Sequence, residues 1–210
     1  MIKKCLLFLL VSTGCFVQAQ ELFLLTGKNF TTYNYKNSQG LANSNIRSAE
    51  GAAYQLGMDF KFGKTADSDK LTYAVSVVYN QFNAVGGTST DNYSWKTNYL
   101  GVQNALNFTF IEISNSFKVK TKLGVAASTI INGEQNINNV IYDISKHEEF
   151  SGIFLQPNIS IDFQYTITPN IKISGGYEFF SMVFNTSNSS AEELSFTNNQ
   201  IHFGLHFPLN

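Results

Sequence analysis

The chain has 210 residues, a net charge of −1 and a charged fraction of 14%, against about 25% in soluble globular domains. A near-neutral chain without a basic cluster excludes a protein that depends on electrostatic attraction to nucleic acid. Its 19 Phe and 10 Tyr beside only 3 Pro favour β-structure over disorder.

Residues 1–19 have the features of a secretory signal peptide. Two lysines precede an apolar stretch at 5–11, and residues 17–19 fit a small-residue cleavage site that leaves a mature chain from Gln20. A second interpretation stays open, because the residues around Cys15 loosely resemble a lipoprotein box and would place a lipid there. Both cysteines lie in this leader, so the mature chain is predicted to have no disulfide, thiol nucleophile or thiolate metal site.

Eight segments after the leader alternate apolar and polar residues with a period of two, as strands do when their two faces meet different surroundings. The clearest runs from Ile153 to Ile167, where odd positions are almost wholly apolar and even positions almost wholly polar. Short connections follow the second, fourth and sixth segments, and the others are longer and rich in Asn, Ser and Gly. The predicted strands are residues 22–35, 51–63, 71–83, 95–110, 117–132, 153–167, 171–185 and 194–207.

An even number of strands, each longer than the ~9–11 residues that cross a bilayer, is typical of outer-membrane barrels. We therefore predict one all-β domain over residues 20–210. Its fold is an eight-stranded antiparallel up-and-down transmembrane β-barrel with short periplasmic turns and longer extracellular loops. The predicted turns are residues 64–70, 111–116 and 168–170, and the predicted loops are residues 36–50, 84–94, 133–152 and 186–193.

The polar face of the strands is predicted to point inward, because it combines charges with glycines that suit a narrow interior. The bulky apolar face then meets lipid, where a lysine at mid-bilayer would cost about 2–4 kcal/mol. Two features fit this assignment badly: the first strand has no clean phase, and Asn104 shares the apolar face of the fourth. A bulge in either strand could reset its phase.

The inward ionisable residues are predicted to form a structural network, since eight strands enclose a space that side chains fill and buried charges need partners. An ion or proton path is the alternative. Neighbouring strands should bring Lys120 or Lys122 close to Asp162, and Glu178 close to His202. The network comprises Asp59, Lys61, Lys120, Lys122, Asp162, Glu178 and His202, and Lys118, Lys172 and His206 share its parity.

Aromatic residues near the strand ends are candidates for the girdles that flank a membrane-spanning band. These are Tyr54, Tyr79, Trp95 and Tyr99, with ordinary packing on the lipid-facing surface as the alternative.

No catalytic or cofactor-binding motif is evident, so neither an enzymatic activity nor a cofactor is predicted. His202 and His206 are predicted to point inward, and the pattern His-x-Ser is absent. His147, Glu148 and Glu149 lie in the longest predicted loop, where they could bind a divalent metal or form an acid–base pair. A solvated loop is the simpler interpretation.

Two neighbouring stretches, TNYLGVQNALNFTF at 97–110 and FKVKTKLGVAAS at 117–128, together with LLTGKNFTTYNY at 24–35, resemble the small outer-membrane β-barrels of the Bacteroidota type, the PorT-like and OmpX-like barrels. The sequence departs from that pattern at Gln103 and Asn104. The resemblance implies a location in the outer membrane of a Gram-negative bacterium. It also implies contact with outer-membrane lipid and lipopolysaccharide, and insertion by the barrel-assembly machinery.

Three functional hypotheses follow. The first is a structural or surface-interaction barrel whose extracellular loops meet a protein partner. The second is an accessory subunit of an envelope or secretion machine, suggested only by the resemblance. The third is a soluble periplasmic lipocalin-like carrier, in which the apolar face would line a cavity. Nucleic acid is not a predicted partner of any of them.

Overall fold

The computed structural model describes residues 19–36, 46–62, 70–87, 92–147, 150–182, 184–185 and 193–209. Eight long strands form the barrel: β1 (Ala19–Lys36), β2 (Ile46–Lys61), β3 (Leu71–Gly87), β4 (Asn92–Ser114), β5 (Phe117–Ile137), β7 (Phe154–Thr168), β8 (Ile171–Ser181) and β10 (Glu193–Pro208). Two short strands, β6 (Val140–Asp143) and β9 (Phe184–Asn185), extend its sheet. Within these ranges, no helix is long and apolar enough to cross a membrane.

Several predicted features lie outside the described residues. They are the signal peptide up to residue 18 with Cys15, the turn at 64–69, and the pair Glu148 and Glu149. The central parts of the predicted loops at 36–50, 84–94 and 186–193 also lie outside. Strands β2, β3 and β4 reach further toward those loops than predicted.

The sheet closes on itself. Consecutive long strands pair antiparallel, β1 pairs with β10, and β5 pairs with β7. Every long strand therefore has a neighbour on both sides, which is the arrangement that leaves a sheet without a long exposed edge. The predicted eight-stranded antiparallel barrel is confirmed.

The register fixes the width of the barrel. From Tyr54 on β2, hydrogen-bonded partners lead through β3 and β4 to Thr129 on β5. In the other direction, through β1, β10, β8 and β7, they lead to Val119 on the same strand. This stagger of ten residues over eight strands tilts the strands by about 40°, given a rise of about 3.3 Å per residue and a spacing of about 4.8 Å. Such a barrel has an interior that side chains can fill.

Burial alternates along the strands in the predicted phase. On β7, Ile159 and Phe163 are about half exposed on the outer surface, whereas Gln156 and Ser160 are buried inside. The same alternation holds on β2, where Leu56 and Met58 are exposed. The apolar face therefore points outward and the polar face inward.

Two features fitted the predicted faces badly, the phase of β1 and the position of Asn104, and both have local explanations. β1 alternates without interruption from Glu21 to Asn34; its phase is obscured because Phe23 and Leu25 point inward, where they pack with two alanines. Asn104 remains on the outer face, and its Oδ1 accepts a hydrogen bond of 2.6 Å from the hydroxyl of Tyr73 on β3.

The two ends of the barrel differ. At the near end, β1 begins, β10 ends, and the turns at 115–116 and 169–170 join neighbouring strands. At the far end, β6 folds back on β5 through a tight turn at Asn138 and Asn139, both with positive φ. Asn tolerates this left-handed conformation, and paired residues of this kind favour a hairpin. The prediction of an irregular loop over 133–152 is therefore wrong for its first part.

Replacing Gly51 by Ala should destabilise the barrel by about 1–3 kcal/mol, the usual range for overpacking. Gly51 lies at an irregularity in the β2–β3 register, and an added Cβ would lie 1.9 Å from the carbonyl oxygen of Gln81. The matched control is Gly175→Ala, where the nearest atom would be 3.6 Å away. Urea unfolding in detergent measures both, and equal midpoints for the two variants would contradict the register.

Candidate functional site: the lumen

Three side chains contact the carboxylate of Glu21, which lies close to the near end of the barrel. Glu21 is buried and accepts a hydrogen bond of 3.2 Å from Nε2 of Gln164. Its oxygens also pair with the ammonium of Lys172 and, at 2.8 Å, with Nδ1 of His206. Sequence reasoning missed Glu21 because β1 showed no clean phase, although its parity with the inward Asn29 would have placed it inside.

His206 also bridges Glu21 to a hydroxyl. Its Nε2 lies 2.9 Å from Oγ of Ser174, so the order of contacts is that of a Ser-His-Glu triad. The three residues lie far apart in the sequence, and no local pattern reveals them. The adjoining cavity measures about 40 Å³ and takes a few waters rather than an acyl group with its leaving group. We therefore assign these contacts to the interior hydrogen-bond network.

Next along the barrel lies a pair of a buried imidazole and a partly buried carboxylate. Nε2 of His202 is 2.5 Å from Oδ1 of Asp162, although β10 and β7 are not adjacent. Both residues lie opposite Gly176 of the strand between them. A Cβ on Gly176 would lie 2.4 Å from Oδ1 of Asp162 and 2.7 Å from Nε2 of His202. The absence of a side chain on Gly176 therefore lets the pair form across β8.

A polar bar, formed by Lys122, Glu178, Gln103, Gln55 and Ser76, crosses the middle of the lumen. Nζ of Lys122 lies 2.8 Å from Oε2 of Glu178, and Nε2 of Gln103 donates to Oε1 of the same carboxylate at 2.9 Å. Nε2 of Gln55 donates to Oε1 of Gln103 at 2.5 Å and to Oγ of Ser76 at 2.7 Å. All five side chains are buried. The bar connects β5 and β8 on one wall to β2, β3 and β4 on the other.

A lysine does approach Asp162, as expected. Lys120 lies directly opposite Asp162 in the β5–β7 register, and Lys120 and Lys122 line one cavity with it. The expected pairing of Glu178 with His202 is replaced by other direct contacts. Lys122 binds Glu178, and His202 binds Asp162. The structure places all seven residues of the predicted network in the interior: Asp59, Lys61, Lys120, Lys122, Asp162, Glu178 and His202.

Uncharged amides continue the network toward the far end. Nδ2 of Asn29 donates to Oδ1 of Asn80 at 3.1 Å, and Nδ2 of Asn198 donates to Oδ1 of Asn29 at 2.9 Å. The hydroxyl of Thr31 donates to Oδ1 of Asn198 at 2.8 Å. Sequence reasoning considered only ionisable residues and therefore missed these four, whose inward parity was the available signal.

An aromatic cluster fills the far end of the lumen. It consists of Tyr33, Phe82, Ala84, Tyr99, Phe154, Phe180, Met182 and Phe196, with Trp95, Ile46, Ile130 and Phe150 packed against it. The rings of Phe82 and Phe196 are 4.7 Å apart, and Phe154 meets Tyr99 edge-on at 5.2 Å. Phe150 belongs to the segment after β6, so part of that segment folds over the far mouth.

Two of the four girdle assignments are wrong. Tyr99 is only 1% exposed and Trp95 packs against the aromatic cluster from within, because odd positions of β4 point inward. Tyr54 and Tyr79 do lie on the outer face, directly opposite each other across β2 and β3, with ring centroids 6.0 Å apart.

Cavities interrupt the packing of the described interior. One of about 110 Å³ opens at the near end, and one of about 40 Å³ lies deeper; both are lined by Asp59, Lys120 and Gln164. A smaller one, about 20 Å³, is lined by Gln103 and Glu178 of the polar bar and by Phe180 of the aromatic cluster. The near half of the lumen therefore has room for water, and the bar and the cluster narrow it toward the far end.

The fold matches those of solved barrel proteins. The structure superposes on the outer membrane protein OprG from Pseudomonas aeruginosa with a TM-score of 0.52 and 12% sequence identity, over 91% of this chain and 98% of that one. A major outer membrane protein from Thermus thermophilus gives 0.50 and 11%, over 90% and 100%. No family model and no curated protein matches the sequence. At such low identity the likeness defines the class of fold, that of small outer-membrane β-barrels.

Replacing Lys122 by Met should destabilise the barrel by about 3–5 kcal/mol, because it leaves the Glu178 carboxylate buried without its counter-ion. The control is Lys28→Met: Lys28 pairs with Glu50 at 2.7 Å on the surface, with both side chains 63% exposed, and such pairs contribute about 0–1 kcal/mol. Urea unfolding measures both losses.

A double variant separates the effect of the uncompensated charge from the effect of lost side-chain packing. In the double variant Lys122→Met with Glu178→Gln, the uncompensated charge is gone, and most of the lost stability should return. A double variant as unstable as Lys122→Met alone would show that the ion pair is not the source of the effect.

Proposed function

We propose that this chain is a non-enzymatic, integral outer-membrane β-barrel protein of a Gram-negative bacterium, with a structural or surface-interaction role carried by its far end. The observation behind this proposal is the inversion of its two faces. Large apolar side chains such as Leu56, Ile159 and Phe203 stand exposed around the barrel, while charges fill its interior. An apolar surface of that extent is a liability in water and fits a hydrocarbon environment.

The strand connections suggest the orientation. In outer-membrane barrels the short turns and both chain ends lie in the periplasm, and the longer connections are extracellular. The near end of this barrel corresponds to the periplasmic side. Outer-membrane lipid, lipopolysaccharide and the barrel-assembly machinery are the partners this location implies. Affiliation with the Bacteroidota-type barrels rests on the sequence resemblance.

The closed lumen favours an anchor over an open pore. The polar bar links opposite walls, and the aromatic cluster fills the space beyond it. The soluble carrier would need a large apolar cavity within the barrel, whereas the cavities at the polar bar and the near end are lined by charged and amide side chains and measure about 20, 40 and 110 Å³. A role as accessory subunit of an envelope machine has only the resemblance in its favour.

The far end offers a surface for a protein partner. Val140, Ile141 and Tyr142 of β6 are 52%, 66% and 49% exposed. β6 pairs with β5 on one side and ends the strand order of the sheet on the other. Exposed apolar residues on such a strand are typical of recognition surfaces.

Envelope fractionation tests the location. The protein should sediment with the outer membrane, and an unheated sample should migrate faster on a gel than a heated one, because the closed barrel stays compact until it is unfolded. A soluble periplasmic protein with the same migration before and after heating would contradict the proposal and favour the hypothesis of a soluble periplasmic carrier.

A lysine on the outer face tests the contact with lipid directly. Ile159→Lys, in the middle of β7, should lower the free energy of unfolding in liposomes by about 2–4 kcal/mol. Ser195→Lys, exposed at the far end of β10, should change it by at most about 1 kcal/mol, since it lies near the membrane surface. Equal effects of the two lysines would argue against a membrane-spanning band.

A further inference from the structure

The near-end cavity, called the vestibule below, gathers cationic side chains from three strands. Lys61 of β2, Lys118 and Lys120 of β5, and Lys172 of β8 all line it. β2, β5 and β8 lie on different sides of the barrel. The four lysines therefore surround one space of about 110 Å³.

The lining of the vestibule carries more positive than negative groups. Its four ammonium groups face two carboxylates, those of Glu21 and Asp59. Lys172 pairs with Glu21, Lys118 pairs at 2.7 Å with Glu112 on the rim, and Lys61 has an interaction partner as well. An ammonium has three donors, however, and can serve a second acceptor. Because charges inside a protein interact more strongly than in bulk water, an anion placed among the lysines would be stabilised.

The size of the vestibule limits the anion. A cavity needs only about 10–15 Å³ of space for water centres to hold one water. The vestibule is several times larger, which suits a small tetrahedral oxyanion and excludes a folded chain or a sugar polymer. Thr72 and Thr109, which also line it, add hydroxyl groups that are able to donate to such an ion.

We propose that the vestibule binds a small oxyanion that still carries a proton, of the hydrogen phosphate class. The lysines hold its charge, as lysine commonly does for phosphate. Asp59, buried beneath them, accepts one hydrogen bond at Oδ1 from Nδ2 of Asn107 at 2.8 Å, and a carboxylate has acceptor sites for more. The O–H of hydrogen phosphate donates to Asp59 and so offsets the repulsion between the two anions, whereas sulfate has no proton at neutral pH and faces Asp59 with repulsion that no hydrogen bond offsets. Repulsion of this kind is a general source of specificity.

Isothermal titration of the refolded, detergent-solubilised mature chain tests this inference with sodium phosphate and sodium sulfate at equal ionic strength and neutral pH. Phosphate should bind at least about tenfold more tightly than sulfate, given the repulsion at Asp59. A folded barrel that binds no phosphate, or that binds sulfate equally well, overturns the proposal.

Three variants locate the site, each first checked for heat-modifiable migration so that only folded protein is titrated. Lys120→Gln should weaken phosphate binding by about tenfold or more, because it removes one of the surrounding charges. Lys96→Gln, exposed on the outer face near the far end, should leave it unchanged. Asp59→Asn keeps the acceptor for Asn107 and should reduce the preference for phosphate over sulfate several-fold.

Unchanged phosphate affinity in Lys120→Gln, or an undiminished preference in Asp59→Asn, would each contradict the assignment. These titrations do not depend on where the protein resides in the cell. Failure of the phosphate site and failure of the proposed location are therefore separate results.

Discussion

Closure of the sheet between β5 and β7 is the constraint on which the rest of the structure depends. It gives each long strand two hydrogen-bonded neighbours, and with a stagger of ten residues it sets the tilt and hence the width of the interior. At that width the inward side chains must fill the interior and supply one another's hydrogen-bond and ionic partners, because few waters fit between them. The alternation of faces follows from the same closure, since every second residue is committed to the inside.

The interior meets this demand in two ways along the axis. In the near half and the middle, charges pair across strands, and Gly176 leaves the space through which His202 reaches Asp162. At the far end, aromatic rings replace charges and pack without ionic partners. A polar bar held by an ion pair and charge-assisted hydrogen bonds lies between the two regions and links opposite walls. Among the described residues, this distribution leaves the larger spaces for solvent at the near end and narrows the lumen beyond them.

The two ends therefore offer different chemistry. The far end presents β6 and the segment around Phe150, in which apolar residues are either exposed or packed over the mouth. The near end presents a hydrated vestibule ringed by lysines above buried carboxylates.

The sequence by itself determined the eight long strands and the alternation of most of them, because a period of two over residues such as Ile153 to Ile167 is the pattern of a strand between two different surroundings. The charges and glycines of the polar face favoured its inward orientation. The sequence also placed the seven ionisable residues inside. It did not determine which of them make direct ion pairs, since Gly176 leaves the space through which His202 reaches Asp162, and Lys122 reaches Glu178 across β7. Nor did it reveal Glu21, because inward Phe23 and Leu25 obscure the phase of β1. The inward position of Tyr99 was missed because an aromatic residue near a strand end suits either a girdle in lipid or a ring cluster in the lumen. Those choices were decided only in the tertiary structure, where residues distant along the chain compete for one narrow interior.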